Sequence, residues 1–214
     1  MGFAAIALST AAKADVIYTV TATGTVTTGT SGGEFGVAGT SLVGQTYTIT
    51  QTFDASLSTE QQVSLYNYLN PARSTATITI GLNTITIPYT SLNNDNNYYG
   101  IDVSGGSNDV DEIFAETFNG TGTEGLLLQF QDPSTNFLTT NSLSQELYYT
   151  TTNTSDSSVQ LALYADNGGF SGTVSAISLN GGTPPAPVPE PRSVVLFGAS
   201  LAVLAWRRRR CTVR

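Results

Sequence analysis

The chain holds few side chains that can do chemistry, and their types narrow that chemistry sharply. There is no histidine anywhere, and the single cysteine is Cys211. Lysine and cysteine are both absent from residues 15–188. Ser-His-Asp and Cys-His catalysis, His-ligated metals, lysine bases and thiol nucleophiles are therefore excluded from that span. No Gly-rich loop carries the lysine that a phosphate cradle needs. Carboxylates remain. Asp109, Asp111, Glu112 and Glu116 offer pairs of the kind glycosidases use. Any acidic domain offers such pairs, so the span is read as non-enzymatic.

The densest polar cluster is Asp102 to Glu112, DVSGGSNDVDE. Ca²⁺ takes about six to eight oxygen ligands, and oxygen-rich loops with glycine suit it. Asp102, Asn108, Asp109, Asp111 and Glu112 are the candidate ligands, and their spacing is not that of an EF-hand loop. The plain alternative is a solvated turn between two strands. No other cofactor is expected. Tyr98-Tyr99 and Tyr148-Tyr149 could stack on sugars. Adjacent residues on a strand point to opposite faces, so at most one of each pair faces a given site.

Charge excludes one class of partner. Of sixteen acids only Glu190 lies outside residues 15–188, and of eight bases only Arg73 lies inside, which leaves a formal charge of −14 on that span. Phosphate backbones are bound by Lys and Arg, so nucleic acid is not a partner.

The elements that must position these residues are strands almost throughout. Val16 to Thr28, VIYTVTATGTVTT, alternates threonine with apolar residues. Leu42 to Phe53 reads the same way. Ser58 to Leu69 carries Ser58 and Gln61 at capping-box spacing, which predicts a short helix ended by Pro71. Ala76 to Pro88 predicts a hairpin about Gly81-Leu82-Asn83. Tyr98 to Val103, Glu112 to Phe118, Gly125 to Gln131, Leu143 to Thr151, Ser158 to Tyr164 and Phe170 to Leu179 follow as strands. Frequent Gly/Asn turns and no disulfide in the span predict an all-β domain, an antiparallel β-sandwich or jelly roll, over residues 15–180.

The two ends give an address. Residues 1–14 hold an apolar core, Phe3 to Leu8, and Ala12-Lys13-Ala14 has the small-x-small form of a signal-peptidase site, with Ala12 and Ala14 as the small residues. The basic region of a signal peptide is missing, so the true start is expected upstream. Residues 181–192 are a proline-rich linker containing Pro189-Glu190-Pro191, which holds the chain extended. Residues 193–214 contain an uncharged run, Val194 to Trp206, followed by Arg207, Arg208, Arg209 and Arg210. As a helix the run spans roughly 20 Å. A bilayer core is ~30 Å, so this single transmembrane helix is short for a permanent anchor. The arginines orient it with its basic end cytoplasmic.

The order Pro-Glu-Pro, short apolar helix, arginine cluster resembles the PEP-CTERM sorting signal of Gram-negative bacteria, carried here by Val188 to Pro191, Val194 to Trp206 and Arg207 to Arg210. The extra tail Cys211 to Arg214 departs from that pattern. The resemblance implies processing by an exosortase, a membrane-embedded cysteine protease, near Pro-Glu-Pro. It also implies export and frequent association with extracellular polysaccharide and biofilm. Signal peptidase and exosortase are then the partners during export. Afterwards the expected place is the cell surface or beyond, and the expected role is structural or adhesive in the envelope or matrix. The alternatives are a carbohydrate-binding module, with or without Ca²⁺, for which extracellular polysaccharide is the partner, and a carboxylate glycosidase.

Overall fold

The computed structural model describes residues 16–56, 59–63, 66–70, 73–88, 98–103, 110–119, 124–132, 135–151, 157–163 and 168–183. All of them fall in the first, residues 1–183, of two compact units into which the chain divides. Among the described residues the regular structure is entirely strand: β1 (Ile17–Thr30), β2 (Thr46–Asp54), β3 (Thr59–Val63), β4 (Tyr66–Asn70), β5 (Arg73–Ile80), β6 (Asn83–Ile87), β7 (Tyr98–Asp102), β8 (Glu112–Phe118), β9 (Glu124–Gln131), β10 (Leu147–Thr150), β11 (Ser158–Leu163) and β12 (Gly168–Leu179). No helix long and apolar enough to cross a membrane occurs among them. The expected C-terminal membrane helix lies outside the described residues.

Period-two alternation makes these strands. On β1, Tyr18, Val20, Ala22 and Val26 are buried while the threonines between them face outward. On β5, Ser74, Ala76, Ile78 and Ile80 go inward and Thr75, Thr77 and Thr79 outward. β-branched residues suit this pleated, half-buried surface. The predicted hairpin is β5–β6, with Ile80 paired to Asn83 across a two-residue turn. Gly81 there has φ +61°, a conformation open to glycine at little steric cost.

The stretch Ser58 to Leu69 is a correction. Its described residues form β3 and β4, an antiparallel pair, and not a helix. Asn67 and Leu69 are buried with Tyr68 between them half-exposed, a period of two. β4 pairs onward with β7, and the Asn67 amide donates to Glu60 Oε1 at 2.6 Å across the β3–β4 pair. A capping box is a local signal, and pairing into a sheet overrides it.

The sandwich expectation is met at the level of an all-β antiparallel fold. The arrangement is one continuous sheet, in the order β3-β4-β7-β8-β9-β11-β12-β1-β2-β5-β6, with β10 also on β12. This sheet curls like a half-barrel, so that β5 approaches β8 although the two are far apart in strand order. Its core fills the space inside the curl. Tyr99 on β7 stacks on Phe53 of β2, ring centroids 5.2 Å apart, and touches Tyr18 of β1 at 5.9 Å. Phe170 of β12 packs against Tyr47 of β2 at 5.4 Å.

One polar bond crosses this core. Gln51 Nε2 on β2 donates to Thr117 Oγ1 on β8 at 3.0 Å, and both residues are fully buried. Gln51 Oε1 has no partner. A lost partner strands a buried group, whereas removing both is nearly neutral. Thr117→Val alone is therefore expected to destabilise the fold by ~1–3 kcal/mol. Adding Gln51→Met should recover most of that loss. Urea unfolding of the three proteins checks this, and a double variant no more stable than the single one contradicts it.

The core also sets an alkaline limit. Burial pushes the phenols of Tyr47 and Tyr99 well above their ordinary value, and for Tyr99 the neighbouring Tyr18 adds to it. A raised folded-state pKa means that the folded chain favours the neutral phenol. That stability is intact below the unfolded value of ~10 and is lost as pH rises beyond it, by about 1.4 kcal/mol per pH unit for each such tyrosine. Urea midpoints should fall steeply between about pH 10 and 12. Tyr99→Phe should flatten that fall.

Candidate functional site

The expected calcium cluster does not assemble as one set among the described residues. Asp102 and Glu112 are register partners on β7 and β8, so they share a face of the sheet. Glu112 Oε1 accepts from Gln129 Nε2 at 2.7 Å. Asp111, one residue earlier, turns into the interior, is 1% exposed and accepts from the backbone N–H of Leu138. Asn108 and Asp109 lie outside the described residues. Among the described residues no three Asp, Glu, His or Cys side chains gather closely enough to hold a metal.

Asp111 instead works with a second buried carboxylate. Asp132 Oδ2 accepts from Tyr149 Oη and from Thr151 Oγ1, both at 2.8 Å. Phe137 stacks on Tyr149 at 4.8 Å and meets Phe130 edge-on at 5.3 Å. Two carboxylates thus hold the chain near residues 132–138 against the sheet. Burial, followed by the bond to Asp132, raises the Tyr149 phenol. Asp111→Ala should cost ~1–3 kcal/mol of stability in EDTA as much as in Ca²⁺, the loss of a bond to a charged group. Urea unfolding in the two buffers checks it, and a loss seen only with Ca²⁺ would return Asp111 to a ligand role.

Two of the candidate glycosidase carboxylates share one strand. Glu112 and Glu116 sit four residues apart on the same face of β8. At ~3.4 Å per residue their Cα atoms are roughly 13 Å apart. Of the tyrosine pairs, Tyr99 is buried in the core and Tyr149 is stacked on Phe137, so neither presents a free ring.

A concavity lies elsewhere, on the face of the sheet turned away from the core. It is a cleft of about 590 Å³. Strand register builds it. Glu116 pairs with Leu127, Leu127 with Gln160, Gln160 with Ser171 and Ser171 with Thr28, one row across β8, β9, β11, β12 and β1. Directly paired residues share a face. At about 4.8 Å per strand the row is roughly 19 Å long. Its next row is floored by glycine, since Phe118 pairs with Gly125 and Thr30 with Gly169. A side chain at Gly125 would overlap the ring of Phe118, so that glycine lets the ring settle against the sheet. Burial holds the Glu116 carboxyl above the usual carboxylate range.

Sequence reasoning singled out Glu116 only as one acid among several and missed the other cleft residues. Gln160 and Ser171 come from the consecutive strands β11 and β12, and Thr28 from β1 at the other end of the domain. Only the pairing register brings them into line.

The address signals lie outside the described residues: Ala12 and Ala14, Pro189-Glu190-Pro191, the run from Val194 to Trp206, and Arg207 to Arg210. Residues 187–210 match the PEP-CTERM protein-sorting motif. The chain therefore carries a PEP-CTERM sorting signal, and that signal implies exosortase processing during export and delivery to the cell surface. No curated protein and no solved structure matches the chain.

Proposed function

We propose that the β domain is a non-enzymatic structural or adhesive component of the cell envelope or extracellular matrix, delivered by its C-terminal signal. The observation that carries this reading is the sorting motif over residues 187–210. Two features of the domain support it. Its surface strands carry threonine at alternate positions, which keeps a sheet wet with few charges. Its acids outnumber its single base, so the domain repels its own copies and anionic surfaces at long range.

In this reading signal peptidase cuts after Ala14. Val194 to Trp206 then halts in the inner membrane, with Arg207 to Arg210 on the cytoplasmic side. Pro189-Glu190-Pro191 stands just outside, extended as a protease requires, and the exosortase releases the domain from its tail.

Replacing Glu190, or both Pro189 and Pro191, with alanine should leave uncut precursor in the inner membrane. Neutral residues at Arg207 to Arg210 should weaken retention or orientation before cutting. Fractionation and mass spectrometry of the C-terminus are the checks. Exported protein that still ends in Arg214 would overturn the processing step. Unchanged surface adhesion by cells lacking the protein would overturn the adhesive role.

A further inference from the structure

We propose that the outer-face cleft is a binding site for an extended, uncharged glycan. The inference deepens the adhesive reading by naming what the domain would hold. The two can fail separately, because binding is measured on the purified chain and adhesion on cells.

The lining sets the ligand class. The row from Glu116 through Gln160 and Ser171 to Thr28 offers a carboxylate, an amide and two hydroxyls in line. None of these four side chains makes a hydrogen bond to another described residue. Together they can accept from and donate to the hydroxyl edges of sugars. Leu127, half-buried in the row between Glu116 and Gln160, and Phe118 in the adjacent row supply apolar surface for the C–H faces of sugar rings. An apolar floor with a few convergent polar groups is the general form of a small-ligand site, and about 590 Å³ falls within the usual range of ~300–1,000 Å³.

Charge removes the competing ligands. Among the described residues the cleft is lined by one acid and no base, within a span of formal charge −14. A phosphate, a sulfate or a uronic polymer would meet repulsion with no cation to bind it. A lone carboxylate does not make a cation site. A neutral hydroxyl-rich ligand fits, since its O–H groups can satisfy a carboxylate that is partly withdrawn from water. Length fits as well. The side chains of the row repeat strand by strand at about 4.8 Å, close to the rise per sugar of an extended glycan.

The test uses the full-length chain in a detergent without a sugar headgroup. The probes are cellohexaose, laminarihexaose and maltohexaose, with hexagalacturonate as the anionic counterpart. Calorimetry measures affinity, and amide shifts of Leu127, Gln160 and Ser171 locate the site. At least one neutral hexaose should bind and shift those amides. Gln160→Ala, at an exposed position, should weaken binding about fivefold, the equivalent of one hydrogen bond. Gly125→Ala, which displaces the Phe118 ring and leaves the polar row in place, should weaken it similarly. Leu82→Ser, in the exposed β5–β6 turn, should leave it unchanged. Circular dichroism confirms that each variant is folded. Three results would overturn the proposal: no binding of any neutral hexaose up to about 10 mM, hexagalacturonate binding as well as the neutral probes, or affinity unchanged in both cleft variants.

Discussion

A sheet without disulfides must bury one of its own faces, and here it does so by curling. The constraint is concentrated at Tyr99. Its ring stacks on Phe53 and touches Tyr18, so a strand from one end of the sheet order meets two from the other. Each such ring pair contributes ~0.5–1.5 kcal/mol beyond the area it buries. Geometry matters more than the sum, because those contacts decide which face of every strand is inside. Once Tyr99, Phe53 and Tyr18 point inward, period two dictates the rest of each strand.

The outward face follows from that choice. Thr19, Thr21 and Thr23 on β1 alternate with a buried apolar set, as do Thr75, Thr77 and Thr79 on β5. Threonine satisfies both demands at once, a β-branched carbon for the pleat and a hydroxyl for water. Thr21–Thr50 and Thr79–Thr84 also pair their hydroxyls across strands, at 3.3 and 2.9 Å. The cleft interrupts this regular surface. Gly125 and Gly169 remove side chains from the outer face where β9 and β12 pass beside β11, and the depression is what their absence leaves. Gly125 carries a second role, since its missing side chain is the seat of the Phe118 ring.

Local signals explain which parts of the fold were legible in the sequence. The β5–β6 hairpin was plain, because its four isoleucines and its turn lie within a dozen residues of one another. β8, Glu112–Phe118, has the bounds that its alternation predicts. Ser58 to Leu69 failed for the opposite reason. Its capping signal is local, while the pairing of β4 with β7 that decides its structure joins residues some thirty positions apart. Single-sheet topology was equally out of reach. Strand alternation shows that a face is buried, but β1 and β12, the first and last strands, become neighbours only through a register set in space. Asp111 was read as a loop ligand because an acid beside two other acids resembles a cation site. The backbone N–H of Leu138, to which it is bonded, is distant in sequence and leaves no mark near it.

The same contrast separates the two functional regions. A sorting signal is read as extended backbone and a hydrophobic length, and both are properties of contiguous residues. Pro189-Glu190-Pro191, the apolar run and the arginines therefore carry their meaning in order along the chain, and the motif match over residues 187–210 rests on that order. The cleft is the reverse case. Thr28, Glu116, Gln160 and Ser171 span most of the domain, and no pair of them is close enough in sequence to form a motif. Their alignment depends on four strand registers, and a one-residue slip in any of them would turn a polar side chain from the cleft toward the core. The inward rings and aliphatic residues oppose such a slip, because it would also expose them. The core therefore fixes the cleft: the packing that buries Leu126, Leu128 and Phe170 is what holds Leu127, Gln160 and Ser171 on the other face.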